Sequence, residues 1–244
     1  MSLLRSRPLR DTQSVRCLKA KKPGRYEGLT GRSFWNRAHK VGSPGADLSL
    51  FYKLSHSTGV KDPIVQAGEA VLRGKAKPVA KKDIGSAKIT AIIGRMKKAL
   101  AKEAFGVALA APQIGEPLRM FVISGKVFAP KVEEGEKAPP PPPDRVFINP
   151  EITRLSRKKI EMSEGCLSVR GKYGTVMRHE KATIKALDEN GKAITYHGAG
   201  LVGHIFQHEC DHLEGVLYTD KAIRLEEDED MQSARAKLKE KHGV

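Results

Sequence analysis

No apolar run in this 244-residue chain approaches the length that crosses a bilayer, and no segment repeats at a fixed period. The first absence leads us to expect a soluble protein with no membrane partner, and the second excludes repeat architectures. Cysteine is scarce. The three present, Cys17, Cys166 and Cys210, form no disulfide framework and suit a reducing compartment. Acids are scarce at one end: the first 26 residues hold only Asp11 among eight basic side chains, and residues 1–62 carry 13 Lys+Arg against 4 Asp+Glu. Much of the formal charge of +16 therefore sits in the first quarter. A diffuse basic surface attracts RNA and other polyanions through counterion release without selecting one, so contact with a ribosome is an expectation of charge alone.

What is there divides the chain into three parts. Residues 1–60 are basic, with scattered Ser, Gly and Pro; they are expected to be disordered, either as an ordinary flexible extension or as an organellar transit peptide, whose Arg-rich, acid-poor composition they share. Fold reasoning starts near residue 60. Residues 62–79 read as an extended, turn-punctuated stretch. Residues 86–103 put Ile89, Ile92, Ile93, Met96 and Leu100 on one stripe opposite a lysine-rich face, which predicts an amphipathic helix. Residues 119–124 and 145–152 read as strands. Between them, residues 131–144 run from charged residues into five consecutive prolines, an exposed loop rather than a ladder partner. Alternation over 175–200 turns at Glu189-Asn190-Gly191, a hairpin signal. An apolar helical stretch follows, and 224–242 closes the chain as a polar tail with helical propensity.

That last apolar stretch contains QHECDHLEG, residues 207–215. On a helix, positions i and i+4 share one face about 6 Å apart, so His208 and His212 can offer nitrogens to one ion while Glu209 stands beside it as a proton carrier. His204 extends the ladder, but its distance from His212 is about 12 Å, too far for one ion bound at about 2 Å. It is expected to line the pocket or face solvent. Cys210 points about 200° away from His208 and is expected in the core. A third ligand is offered by SEGCLSV, residues 163–169, where a Gly-containing segment presents Cys166. GVALAAPQIG, residues 106–115, is small enough for a backbone to run close to a ligand and ends near Gln113, whose amide suits a developing oxyanion.

GVALAAPQ, EGCLS and QHECDH, in that order, resemble the three signature motifs of the peptide deformylases. The likeness extends over about residues 63–222 and takes IVQAGEAVLRGKAKPV for the family's amino-terminal strand region. It omits the first 60 residues, the proline insert and the tail. It implies an α+β fold of antiparallel sheets around a central metal-binding helix, with a catalytic domain over 61–222 and a separate tail over 223–244. It further implies that Cys166, His208 and His212 bind one divalent metal, Fe²⁺ first, with Zn²⁺, Ni²⁺ or Co²⁺ as alternatives. Glu209 would be the general acid and base, Gln113 and the Leu167 amide would hold the oxyanion, and Val107, Ala108 and Gly165 would contact substrate. The implied reaction removes the formyl group from the amino-terminal methionine of nascent polypeptides. A monomer is expected, in a bacterial cytoplasm, or in a mitochondrion or plastid if residues 1–60 are a transit peptide.

Three positions depart from the family pattern. Ala108 stands where a second glycine is usual, Arg170 where proline is common, and His204 where relatives are often apolar. Ala108 leaves room for a deformylase-like enzyme of altered substrate. Two other readings use the same residues. A structural or RNA-binding metal module needs a fourth ligand that the spacing does not offer. A zincin-type peptidase takes its third ligand downstream and gives no reason for EGCLS.

Overall fold

In the computed structural model, residues 62–130 and 139–227 are described. The expectations for residues 1–60, for the charged half of the insert and for the tail beyond 227 lie outside them. Ser86 opens helix α1 (Ala87–Lys102), its hydroxyl accepting the Ile89 N–H, and the predicted stripe of Ile89, Ile92, Ile93, Met96 and Leu100 is buried. The stripe packs on strands β2 (Met120–Ile123) and β3 (Arg145–Leu155), with β1 (Ala108–Ala110) at the sheet's edge. Every residue of β2 is buried, and the period of two divides them. Met120 and Val122 join the core under α1, while Phe121 and Ile123 join a second core on the opposite face.

The sheet continues through β6 (Lys181–Leu187) and β7 (Ala193–Ala199) in the order β1-β2-β3-β6-β7, antiparallel throughout. The expected hairpin turn joins the last two strands. Asp188 accepts the N–H groups of Asn190 and Lys192, and Gly191 takes φ +79°. A second antiparallel sheet orders β4 (Lys159–Cys166), β5 (Val169–His179) and β8 (Ala222–Glu227) as β4-β5-β8.

Helix α2 (Leu201–Leu213) lies between the two sheets. Ile205, Phe206 and Leu213 meet Phe121, Phe147 and Ile184 of the larger sheet. Towards the smaller one, the Gln207 amide accepts from the His179 N–H and donates to the His179 carbonyl. The glycines before and within the helix set its distance from β7: a Cβ on Gly203 would stand 2.9 Å from the Gly198 carbonyl oxygen. The α+β class and the central helix are as expected.

Two local expectations are corrected. Residues 224–227, the start of the expected polar helical tail, belong to β8, which pairs with β5 as an edge strand, because backbone pairing outweighs the helical preference of Leu, Arg and Glu. Residues 62–79 contain a 3-10 turn at Ala70–Leu72 and only an isolated bridge from Lys77 to Leu118, not a sheet strand. No helix among the described residues is long and apolar enough to cross a membrane.

Asn149 fixes the chain before α1 to the sheet. It takes φ +50° at an irregularity of β3, and its side chain accepts the Val79 N–H and donates to the Val79 carbonyl, each at 2.8 Å. Asn149→Ala loses both bonds, at about 1 kcal/mol each, and adds a left-handed alanine at about 1 kcal/mol. The expected loss of about 3 kcal/mol is read from the urea midpoint. An unchanged midpoint would show that the bonds add nothing net.

Candidate metal centre

One face of α2 is apolar and the other carries the histidine ladder. Cys210 belongs to the apolar face, in the core with Ile205, Phe206 and Leu213, and burial pushes its thiol up to about 12. It lies in the core, as expected. On the opposite side the β4–β5 hairpin brings in Cys166, the last residue of β4. A register shift between Gly165 and Cys166 re-aims the side chain there. The Cys166 sulfur lies 3.2 Å from His212 Nε2, and the ligating atoms of Cys166, His208 and His212 fall within 4.8 Å of one another. These three predicted ligands are brought together.

The arrangement fits a divalent cation on three counts. A tetrahedral ion with bonds of about 2.0–2.3 Å needs donors roughly 3.5 Å apart, close to the sulfur–nitrogen separation found. One sulfur with two imidazoles is a borderline-soft set suited to zinc, iron or nickel rather than magnesium. A buried oxygen, Glu209 Oε2, has no hydrogen-bond partner, which costs about 1–3 kcal/mol unless water or substrate supplies one. Burial raises the Glu209 carboxyl to about 7 in the metal-free protein.

Around the sulfur the donors are fixed. Gln113 Oε1 accepts the Ala110 N–H at 2.8 Å, which turns the amide so that Nε2 faces Ser168 Oγ at 3.2 Å and the Cys166 sulfur at 3.5 Å. The Ser168 N–H also donates to that sulfur at 3.4 Å, and Gln66 holds the Leu167 carbonyl at 3.1 Å. Gln113 thus lies beside the sulfur, and Leu167 follows the cysteine with its carbonyl tied to Gln66. Half-buried Val107 precedes β1, buried Ala108 opens it on the Gln113 side, and half-buried Gly165 precedes the cysteine. Arg170 ties the hairpin to Asp62 at 3.1 Å and to Glu103, the residue ending α1, at 2.8 Å. An ion-paired clamp therefore stands where the pattern has proline.

Sequence reasoning missed Glu164. Its carboxylate, 4% exposed, accepts from His208 Nδ1 at 2.7 Å, from His204 Nε2 at 2.5 Å and from Arg178 Nε and Nη2 at 2.6 and 3.0 Å. Burial opposes its ionisation, but the bonds from His204, His208 and Arg178 outweigh that and hold its pKa far below the carboxylate range. Burial also opposes charge on His208, yet contacts with Cys166 and Glu164 raise its pKa. Burial, then the charge of His208, lowers that of His212. Because His208 gives Nδ1 to Glu164, its Nε2 is left for an ion. The available signal was period two: Glu164 stands two residues before Cys166 in a strand. His204 neither faces solvent nor joins the ligands; it is buried against Glu164 and the Met162 sulfur.

Residues 61–228 match the family described as Polypeptide deformylase. The chain is similar to a peptide deformylase of Christiangramia forsetii, with 39% identity over 165 residues, 67% of this chain and 82% of that one. It is similar to the chloroplastic peptide deformylase 1A of Solanum lycopersicum, with 41% identity over 162 residues, 65% of this chain and 58% of that one. The match spans about three fifths of the two plant relatives, 58% and 61% of their lengths. Among solved structures, it is similar to a Met-Ala-Ser-bound class I type b peptide deformylase from Acinetobacter baumannii. The TM-score is 0.57 and the identity 30%, over 65% of this chain and 96% of that one. For the peptide deformylase of Thermotoga maritima the TM-score is 0.55 and the identity 32%, over 66% and 97%.

Proposed function

The chain belongs to the polypeptide deformylase family, and from that premise we propose that it removes the formyl group from the amino-terminal methionine of nascent polypeptides, releasing formate. The observation that carries the reading is the Gln113 amide nitrogen, held 3.5 Å from the sulfur of a Cys-His-His cluster. Cys166, His208 and His212 hold the cation, Fe²⁺ in this reading. When bound, the ion acts as a Lewis acid that lowers the pKa of water towards about 7.

The chain's own residues do the rest. Glu209 takes the proton of the attacking water from its buried position next to His208. Gln113 Nε2 and the Leu167 N–H donate to the oxygen that becomes negative as the formyl carbon turns tetrahedral, and one such donor is typically worth about 3–4 kcal/mol. Glu209 returns the proton to the leaving nitrogen, giving formate and a free amino terminus. Val107, Ala108 and Gly165 line the substrate's backbone, with the Ala108 methyl narrowing the space that a glycine leaves.

The catalytic unit in this reading spans 61–222, and strand β8 carries its smaller sheet on to Glu227. Its compartment is one where translation starts with formyl-methionine: relatives are named from bacteria and from chloroplasts or mitochondria. The excess of basic residues supports ribosome contact, and we take the enzyme to act as a monomer. Anaerobically prepared iron enzyme is expected to release formate from formyl-Met-Ala-Ser and to leave casein uncut. Casein digestion without formate release would favour the peptidase reading instead.

A further inference from the structure

We propose that His204 is a positioning residue of the metal centre, holding Glu164 so that His208 keeps its ring aimed at the ion. The inference rests on the metal-centre reading above. A carboxylate has about four lone-pair sites, and all four of Glu164's are filled. Arg178 fills one on each oxygen, through Nε to Oε1 and Nη2 to Oε2. The remaining site on Oε2 takes His208 Nδ1, and the remaining site on Oε1 takes His204 Nε2. Two histidines one turn apart on α2 therefore grip the two oxygens of one buried carboxylate.

The grip has a mechanical consequence. Arg178 is itself tied to Asp211, so the guanidinium defines the plane in which the carboxylate lies. The two histidines balance each other within that plane. Contact with the Met162 sulfur on the Nδ1 side of His204 turns its Nε2 towards Glu164. With His204 removed, Oε1 becomes a buried acceptor with an open site, and a carboxylate in that state gains by pivoting or by admitting water. Either response loosens the bond to His208 Nδ1, which fixes the ring's tautomer and direction. His204 is thus separated from the ion by one carboxylate and one imidazole.

The test uses the full chain loaded with cobalt(II), whose visible spectrum reports ligand geometry. His204→Leu removes the donor, while His204→Gln keeps an N–H near the position of Nε2. Loss of a partner that orients a metal ligand typically costs about 10–100-fold in metal affinity. His204→Leu is expected to shift the d–d bands and to release cobalt to excess EDTA at least about tenfold faster. His204→Gln should restore both close to wild type. A Leu variant with wild-type bands and release rate would overturn the proposal. So would equal impairment of Leu and Gln variants with equally lowered melting temperatures, which would assign His204 to packing alone. If the wild-type protein itself lacks a thiolate-to-cobalt band, the metal-centre reading fails first, and this inference with it.

Discussion

Glu209→Gln is expected to retain one metal ion per chain and to lose turnover of formyl-Met-Ala-Ser by about 10³–10⁴-fold. The two halves of that result have separate causes. Glu209 is not among the three residues whose donor atoms converge, so the ion has no reason to leave. Yet its carboxyl is 4% exposed, one oxygen has no partner, and burial holds its proton to about 7 in the metal-free protein. A group that exchanges its proton near neutrality is suited to act first as base and then as acid, and the amide can do neither. Activity within tenfold of wild type, at full metal content, would remove Glu209 from the reaction.

The same substitution has a signature in stability. In the metal-free folded protein the Glu209 carboxyl ionises near about 7, and in the unfolded chain near its ordinary 4.5. Between those values the folded form binds more protons, so the group's contribution to stability falls as pH rises through the window. Glu209→Gln abolishes the titration. Relative to wild type, the metal-free variant should therefore gain up to about 3 kcal/mol between pH 4.5 and pH 8, read from urea midpoints. Parallel pH profiles for the two proteins would contradict the buried carboxyl.

The parts of the fold legible in the sequence are those whose burial is apolar. Ile89, Ile92, Ile93, Met96 and Leu100 announced α1 because a helix with one face in a core repeats at three and four residues. Helix α2 followed from the spacing of His208 and His212. Strand β4 and the first half of β5 were not legible, because the inner face of their sheet is partly charged. Ile160, Met162 and Val176 alternate there with Glu164 and Arg178, both 4% exposed. A buried Glu and a buried Arg look like surface residues until their bond to each other is seen. For the same reason the sequence suggested pocket or solvent for His204, whose environment is set by a residue 40 positions away. Gln113 was found by its motif, but the reason its nitrogen faces the sulfur, the bond from the Ala110 N–H to its oxygen, belongs to the folded turn.

Cys166→Ala is expected to empty the centre. In the proposed centre the sulfur would be the one ligand of the three with a full negative charge, and the Ser168 N–H and the Gln113 amide lie within hydrogen-bonding reach of it. Its removal leaves two imidazoles on one helix, a pair that many surface helices could offer. A three-ligand set of this kind binds zinc-like ions with free energies on the order of 10 kcal/mol, so loss of one ligand costs about 4 kcal/mol, or roughly 10³-fold in affinity. The variant, dialysed against low free metal, should hold far less than one ion per chain and lack the thiolate-to-cobalt absorption band. Cys210→Ala supplies the control. That thiol packs among Ile205, Phe206 and Leu213 on the other face of the helix, so its removal should cost about 1 kcal/mol of stability and leave both metal content and the band unchanged. Metal retained by Cys166→Ala and lost by Cys210→Ala would exchange the roles of the two cysteines. The helix geometry forbids that exchange: a thiol two residues after His208 cannot share an ion with His208 and His212 while the helix between them stays intact.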